Sequence, residues 1–353
     1  MRDVAIVSFA QHTARREQER NEIEFLQPVV REACAATGLT PQDMGFIVSG
    51  SSDYFAGQAF AFVSALDTVG PWPPVSESHV EMDGAWALHE AWVRLQHGDI
   101  DTALVYAFAK TSPGDLPRVL ALQLEPYAVG PLWPDAVSLA GLQARALLDS
   151  GDVGPENLAA VVAASRRAAA ENPHALLHGE VTVEELLAAE PWADPLRRHD
   201  CAPITDGAAA VVLAAGDRAR ELCERPAWIR GIDHRVEPQA LGLRDLATSV
   251  STARAGDVAG VGDGPVDVAE LHAPFSHQQL ILADALGLDE RTTVNPSGGA
   301  LAANPMMAAG LIRLGEAAAR IRDGSAGRAV AHATSGPCLQ QNLVCVLDDG
   351  AAA

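Results

Sequence analysis

The stretch VEMDGAWALHEAW at residues 80–92 decides the fold assignment. A strand-like approach at residues 78–80 runs directly into a helix that is predicted to begin near Ala85. Such an elbow presents a residue at the top of a sheet and at a helix N-terminus, where backbone N–H groups favour negative charge. Here the elbow consists of Asp83 and Gly84. The position best placed for a nucleophile therefore has no side chain.

A second elbow follows the same order of elements in the other half of the chain. Three pairs of stretches match: PQDMGFIVSG (41–50) with PVDVAELHAP (265–274), the first elbow with VNPSGGALAANPMMAAG (294–310), and DTALVYAFA (101–109) with GRAVAHATS (327–335). Matched pieces in the same order indicate two copies of one βαβαβ unit. Because strands and helices alternate throughout, we predict an α/β layered fold.

Domain boundaries follow from this repeat. The first half is predicted to comprise residues 1–109 together with 206–215, and the second half residues 216–353. The intervening segment, 110–205, is richer in proline and charge, and it is too long for a plain loop. We expect it to be an inserted cap over the active face.

Composition excludes several classes of function. The chain has 353 residues and a formal net charge of −21, which argues against nucleic acid and anionic membranes as partners. It contains no apolar run long enough for a transmembrane helix, and its first residues indicate a β-strand instead of a signal peptide. Five cysteines without C-x-x-C spacing favour a cytoplasmic protein and no zinc site. Only Lys110 could support Schiff-base chemistry, since it is the sole lysine.

Several motifs together point to one family. They are AAAENPHALLHG (168–179), HDCAPITDGAAAVVLA (199–214), FAKTS (108–112), ELHAPFSHQQLILADALGL (270–288) and VNPSGGALAANP (294–305). As a set they resemble the thiolase superfamily, specifically the sterol-carrier-protein type and its actinobacterial lipid-transfer-protein relatives. The resemblance implies a thiolase fold of five αβαβα layers, a dimer formed through the N-terminal halves, and a coenzyme A thioester as substrate without a further cofactor.

Most of the family's catalytic positions are changed in this chain. The position of the nucleophilic cysteine falls on Gly84, and that of the G-H-P histidine on Asn304. The second cysteine position falls near Ala333 or Thr334. His272 alone matches a functional position of the family. Without a thiol or hydroxyl at residue 84, no covalent acyl-enzyme can form there, so thiolysis by the family mechanism is excluded.

Three functions remain open. The first is membership of a carbon–carbon lyase that cleaves a β-hydroxyacyl-CoA, such as a steroid side chain, by retro-aldol chemistry together with a small OB-fold, zinc-ribbon companion. This reaction needs a base and an oxyanion hole but no nucleophile. The second is an inactive thiolase-like subunit that completes a heteromer with an active paralogue. The third is simple acyl-CoA or lipid binding.

Four residues are candidates for the lyase chemistry. His272 is expected to be an oxyanion donor or a base, and Gly84 to make room for a bulky substrate while its N–H faces the enolate. Asp83 is either a base or the N-cap of the helix that follows it. His332 is either a base on the active face or a structural histidine.

The expected binding residues for the CoA thioester lie in two places. Asn304, Gly298 and Gly299 belong to the second elbow, where the glycines supply flexible backbone. Arg197, Arg198 and His199 form a basic cluster in the cap that either meets the CoA phosphates or is simply solvated. No metal ligands are predicted.

Overall fold

The computed structural model describes residues 1–127 and 129–350. Its strands are β1 (Val4–Ala14), β2 (Phe46–Gly50), β3 (Glu77–Val80), β4 (Thr102–Ala109), β5 (Pro191–Ala193), β6 (Leu196–Arg197), β7 (Asp206–Ala215), β8 (Ala227–Val236), β9 (Val268–Leu271), β10 (Thr293–Val294), β11 (Arg328–Ser335) and β12 (Gln341–Asp348). Its helices are α1 (Glu22–Ala35), α2 (Asp53–Ala56), α3 (Ala61–Val69), α4 (Gly84–Gln96), α5 (Leu116–Leu122), α6 (Ala136–Ser150), α7 (Pro155–Ala168), α8 (Val183–Leu187), α9 (Gly216–Leu222), α10 (Val250–Ala259), α11 (Ser276–Ala285), α12 (Gly299–Ala302) and α13 (Ala309–Arg322).

Strand order repeats the same arrangement twice within one ten-stranded sheet. The first half runs β3-β2-β4-β7-β1 and the second runs β10-β9-β11-β12-β8. In each half the three outer strands pair in parallel, and the remaining strands pair antiparallel. The halves meet where β1 pairs with β8. This topology confirms the duplication that the matched sequence stretches predicted.

Helices cover both faces of each half of the sheet. The largest core cluster joins α4 and α13 to the inner faces of both halves. Helices α1 and α3 cover the outer face of the first half, and α10 and α11 cover that of the second. Strands β4 and β7 are buried along their entire length, as expected for strands with helices on both faces. The result is the predicted series of five layers, α–β–α–β–α.

The segment between the halves is more regular than its sequence suggested. It contains helices α5 to α8 and the short β5–β6 pair. One residue of this segment, Ala128, and the last three residues of the predicted second half lie outside the described residues. Within the described part of the chain, no helix combines the length and apolar character needed to cross a membrane.

Candidate active site

Asp83 joins the N-termini of the two central helices. Its carboxylate accepts the backbone N–H of Ala85 at the start of α4 (2.8 Å) and the N–H groups of Gly310 (2.9 Å) and Leu311 (3.0 Å) at the start of α13. The side chain is buried, and burial raises its pKa to about 6 even though the three N–H donors favour the charged form. Of the two roles expected for Asp83, the structure shows capping, shared between two helices, and both carboxylate oxygens are occupied.

The surroundings of Gly84 differ from those expected from the sequence. Its N–H donates to the carbonyl of Met307 (2.7 Å), so it does not face an enolate. A Cβ built at Gly84 would lie 2.5 Å from the Cβ of Ala107 and 2.9 Å from a methyl group of Leu311. The missing side chain therefore makes room for the packing of α4 against β4 and α13. It does not make room for a substrate.

His272 and Asn304 form a buried pair. The backbone N–H of Thr334 approaches Nδ1 of His272 at 3.4 Å, which places the ring proton on Nε2. Nε2 lies 3.0 Å from Oδ1 of Asn304 and donates to it. The backbone N–H of Asn304 is itself held by the hydroxyl of Thr205 (3.1 Å). Burial lowers the pKa of His272 to about 4, so the imidazole is neutral near pH 7.

This pair leaves the side-chain amide nitrogen of Asn304 free to donate. Because Oδ1 of Asn304 accepts from His272, the side-chain Nδ2 is directed elsewhere, and it makes no hydrogen bond to the described residues. A free amide donor held by a neutral histidine can stabilise a thioester oxyanion without any proton transfer. The structure thus brings together two of the residues that the sequence singled out separately.

His332 lies on the other face of its strand. Its neighbours Ala331 and Ala333 belong to the inner core, and alternation along β11 directs His332 to the outer face. There its Nε2 lies 3.0 Å from Oδ1 of Asn342, whose amide nitrogen donates to Ser251 of α10 (2.7 Å). Burial lowers the pKa of His332 to about 3. The prediction that His332 lies on the active face is therefore wrong. Its contacts are those of a structural histidine, which was the alternative expected from the sequence.

The basic residues of the segment between the halves each have a distinct set of contacts. Arg197 donates from Nε to the carbonyl of Ala189 (2.8 Å), and the guanidinium of Arg198 lies 6.0 Å from the ring centroid of Trp192. His199 is partly buried, and its Nε2 has no hydrogen-bond partner among the described residues. Burial lowers the pKa of His199, and the charges of Arg197 and Arg166 help to lower it further. Binding of the CoA phosphates by Arg197, Arg198 and His199 stays a prediction.

The second elbow combines a tight backbone with a buried ion pair. Gly298 and Gly299 have φ values of 94° and 63°, and a Cβ on Gly298 would lie 2.6 Å from that of Ala169. Arg313 of α13 donates from Nη1 to Oε2 of Glu270 (2.6 Å) and to the hydroxyl of Ser297 (2.6 Å). The sequence motifs did not point to this ion pair. The nearest signal was the E-x-H spacing, which places Glu270 of β9 two residues before His272.

Two of the small cavities in the described part of the chain lie apart from the predicted catalytic residues. One, of about 10 Å³, is lined in part by Gly299, Ala303, Pro305 and Arg313. The other, also of about 10 Å³, lies beside β2 and β4. The four predicted catalytic residues, His272, His332, Asp83 and Gly84, line neither of them. Among the described residues, no group of histidine, cysteine or acidic side chains could hold a metal ion.

Comparison with known proteins shows similarity to thiolases and to a lyase. The chain is 33% identical over 214 residues to an acetyl-CoA acetyltransferase of Methanothermobacter thermautotrophicus, covering 54% of this chain and 56% of that protein. It is 26% identical over 349 residues to the enzyme of the same name from Methanocaldococcus jannaschii, covering 90% and 89%. It is 27% identical over 246 residues to a 17-hydroxy-3-oxo-4-pregnene-20-carboxyl-CoA lyase of Mycobacterium tuberculosis, covering 66% and 63%.

Solved structures extend the similarity over the whole chain. An aldolase described as Ltp2-ChsH2(DUF35) superimposes with a TM-score of 0.82 at 20% identity, covering 99% of this chain and 98% of that chain. Human mitochondrial 3-ketoacyl-CoA thiolase superimposes with a TM-score of 0.77 at 15% identity, covering 99% of each. No family model matches the chain. The duplicated sheet, the five layers and these superpositions show that the chain has the thiolase fold.

Proposed function

We propose that this chain is a thiolase-fold subunit of a carbon–carbon lyase that acts on a β-hydroxyacyl-CoA. The observation that carries the proposal is the buried His272–Asn304 pair with its free amide donor. The absence of any nucleophilic side chain at residue 84 supports a reaction without an acyl-enzyme. Similarity to a steroid-carboxyl-CoA lyase and to an aldolase complex supports the same reaction class.

Retro-aldol cleavage suits this donor arrangement. A base removes the proton of the β-hydroxyl group, the adjacent C–C bond breaks to give a carbonyl product, and its electron pair forms a thioester enolate. The Nδ2 of Asn304 would donate to the enolate oxygen, while His272 acts as a positioning residue by holding Oδ1. Protonation of the enolate carbon then releases the shortened acyl-CoA. Each step needs a charge-stabilising donor and no covalent intermediate.

Neither Asp83 nor His332 is placed to act as the general base. Asp83 already accepts three backbone N–H groups, and His332 lies on the opposite face of its strand, where it contacts Asn342. We therefore propose that a partner subunit supplies the base, in a heteromer of a paralogous thiolase-like chain and an OB-fold, zinc-ribbon companion. The substrate class we propose is a bulky hydroxylated acyl group of the kind named for the lyase relative.

Cleavage of a steroid β-hydroxyacyl-CoA by the reconstituted complex tests the proposal. Asn304→Asp replaces the donor by an acceptor of the same shape, and we expect kcat to fall by about 10²- to 10³-fold. Asn157→Ala serves as the control, because it removes an amide from the exposed start of α7. Both variants are checked for unchanged thermal unfolding before the assay.

A second function is favoured by one specific observation. The predicted catalytic residues share neither of the two cavities, as expected if this chain only completes the fold and interface of an active partner. Cleavage that is unaffected by Asn304→Asp would support that inactive-subunit function and would contradict the role of the His272–Asn304 pair.

A further inference from the structure

Residues 201–205, which we call the crossing segment, pass beside both members of the buried histidine–asparagine pair. Ala202 donates its backbone N–H to the carbonyl of Pro274 (2.7 Å), two residues after the paired histidine. Thr205 forms a parallel β-bridge with Pro305, the residue that follows the paired asparagine. The crossing segment therefore contacts the backbone next to each side chain of the pair.

Asn304 lies outside the helices and strands of the fold. It stands between α12 and α13, and the proline that follows it favours an extended backbone at residue 304. The backbone N–H of Asn304 donates to the hydroxyl of Thr205 (3.1 Å). Thr205 is fully buried, whereas its neighbour Ile204 is 49% exposed, so the threonine side chain is the one that points inward.

The contacts on the two sides of Asn304 together fix the direction of its side chain. The β-bridge holds the chain after its Cα, and the hydroxyl of Thr205 holds the peptide group before it. Because these two peptide groups set the direction of the Cα–Cβ bond, the hydroxyl helps to aim the amide. His272 holds the far end of the side chain through Oδ1 (3.0 Å), which leaves Nδ2 as the group that is aimed.

We propose that Thr205 is a positioning residue for the amide donor of Asn304. This role, which rests on the proposed function, acts through Asn304 and not on the substrate. A donor stabilises a developing oxyanion only from about 2.7–3.1 Å, so a shift of Nδ2 weakens its effect. Because the negative charge develops during the reaction, losing the Thr205 hydroxyl should lower kcat and leave KM nearly unchanged.

Cleavage kinetics of the reconstituted complex test this role. Thr205→Ser keeps the hydroxyl, whereas Thr205→Cys replaces its oxygen by sulfur, a weak acceptor, so these two variants differ in one atom. We expect kcat to stay within about twofold of the wild type for Thr205→Ser and to fall by about tenfold for Thr205→Cys. Thr102→Cys is the matched control, because the hydroxyl of Thr102 is also buried and accepts a backbone N–H, that of Gly45 (3.3 Å). It should leave kcat unchanged.

A second background separates positioning from a general loss of structure. In Asn304→Asp the amide donor is gone, so adding Thr205→Cys should lower kcat by less than about twofold more. Thr205→Val, which keeps the shape of threonine, takes the place of Thr205→Cys in both backgrounds should the cysteine variant fail to fold.

Two results would overturn the role of Thr205 alone. One is an unchanged kcat for Thr205→Cys where Asn304→Asp is impaired. The other is an equal fall in kcat on adding Thr205→Cys to the wild type and to Asn304→Asp, because that fall would not act through the amide. An unchanged kcat for Asn304→Asp itself would overturn the proposed function, and the role of Thr205 with it.

Discussion

Gly84 and Asp83 occupy adjacent positions with different physical roles. At Gly84 the backbone of α4 lies against Leu311 and Ala107, and there is no space for even one carbon atom. At Asp83 a carboxylate satisfies N–H groups of two helices that belong to different halves of the chain. These contacts make the first elbow a structural junction between α4 and α13.

Adding a methyl group at the elbow should therefore destabilise the fold. Gly84→Ala places a Cβ 2.5 Å from the Cβ of Ala107, and overpacking of this kind costs about 1–3 kcal/mol. Gly242→Ala is the matched control, because a Cβ there meets nothing within 4 Å. Denaturant unfolding measures both. An unchanged free energy of unfolding for Gly84→Ala would contradict the close packing of α4 against β4 and α13.

The free energy of unfolding should depend on pH because the pKa of Asp83 is raised in the folded chain. Its pKa is about 6 in the folded chain, whereas an unfolded aspartate titrates near 3.9. The folded state thus binds the proton more tightly. Proton binding by Asp83 stabilises the folded state by about 3 kcal/mol below about pH 4. This stabilisation is lost as the pH rises through 6. Unfolding free energies of the wild type and Asp83→Ser, measured across this range, should diverge accordingly. Parallel curves would refute the shift.

The buried ion pair connects three elements around the second elbow. Arg313 of α13 is 4% exposed and Glu270 of β9 is fully buried, and both bind Ser297 in the elbow. The pair thereby holds α13 and the elbow against β9, whose end carries His272. The role of this ion pair is to position these elements, because a buried ion pair stabilises a fold little more than apolar side chains of similar size would.

Breaking only one partner of this pair should be costly. Glu270→Gln leaves the guanidinium of Arg313 buried without its counter-ion, with an expected loss of about 3–5 kcal/mol. Asp289→Asn breaks an exposed pair with Arg291 and should cost less than about 1 kcal/mol. The double variant Glu270→Leu with Arg313→Met should recover part of the loss. A single-variant cost as small as that of Asp289→Asn would show that the pair is not desolvated.

On the scale of the molecule, one edge of the sheet stands out. Strand β3 ends the strand order and pairs only with β2 among the described residues. The chain leading from α3 to this strand exposes Trp72 (85%), and Phe60 lies just before α3 (70% exposed). An unpaired edge beside exposed aromatic side chains is a surface that proteins usually cover. We propose that a second thiolase-fold chain, a copy or a paralogue, covers it.

Introducing a charge on this surface should disrupt that assembly. In the reconstituted complex, Trp72→Asp is expected to lower the molar mass measured by light scattering, because a carboxylate would be buried unpaired in the interface. Trp192→Asp changes another exposed tryptophan (61%), located in β5 far along the chain, and should leave the mass unchanged. An unaltered mass for Trp72→Asp would place the interface elsewhere.

Local patterns were enough to predict the repeated layout and to single out two residues that lie together in the structure. The order of strands, helices and elbows follows from apolar periodicity and from Gly and Pro positions, which act over a few residues. His272 and Asn304 were both named because their motifs are local. Their pairing, and the tautomer set by the N–H of Thr334, depends on three segments meeting in space. No local signal could have supplied that.

The amino-acid sequence by itself determined the duplicated α/β plan, the acidic character and the lack of a nucleophile at residue 84. Only the tertiary structure decided that Asp83 caps two helices and that the missing side chain at Gly84 lets Leu311 pack against α4. It also decided that the side chain of His332 lies on the outer face of β11. The physical reason is the separation along the sequence over which each kind of interaction acts. Helix and strand preferences are set by neighbours along the chain, whereas burial, side-chain direction and hydrogen-bond partners are set by contacts between residues far apart in sequence.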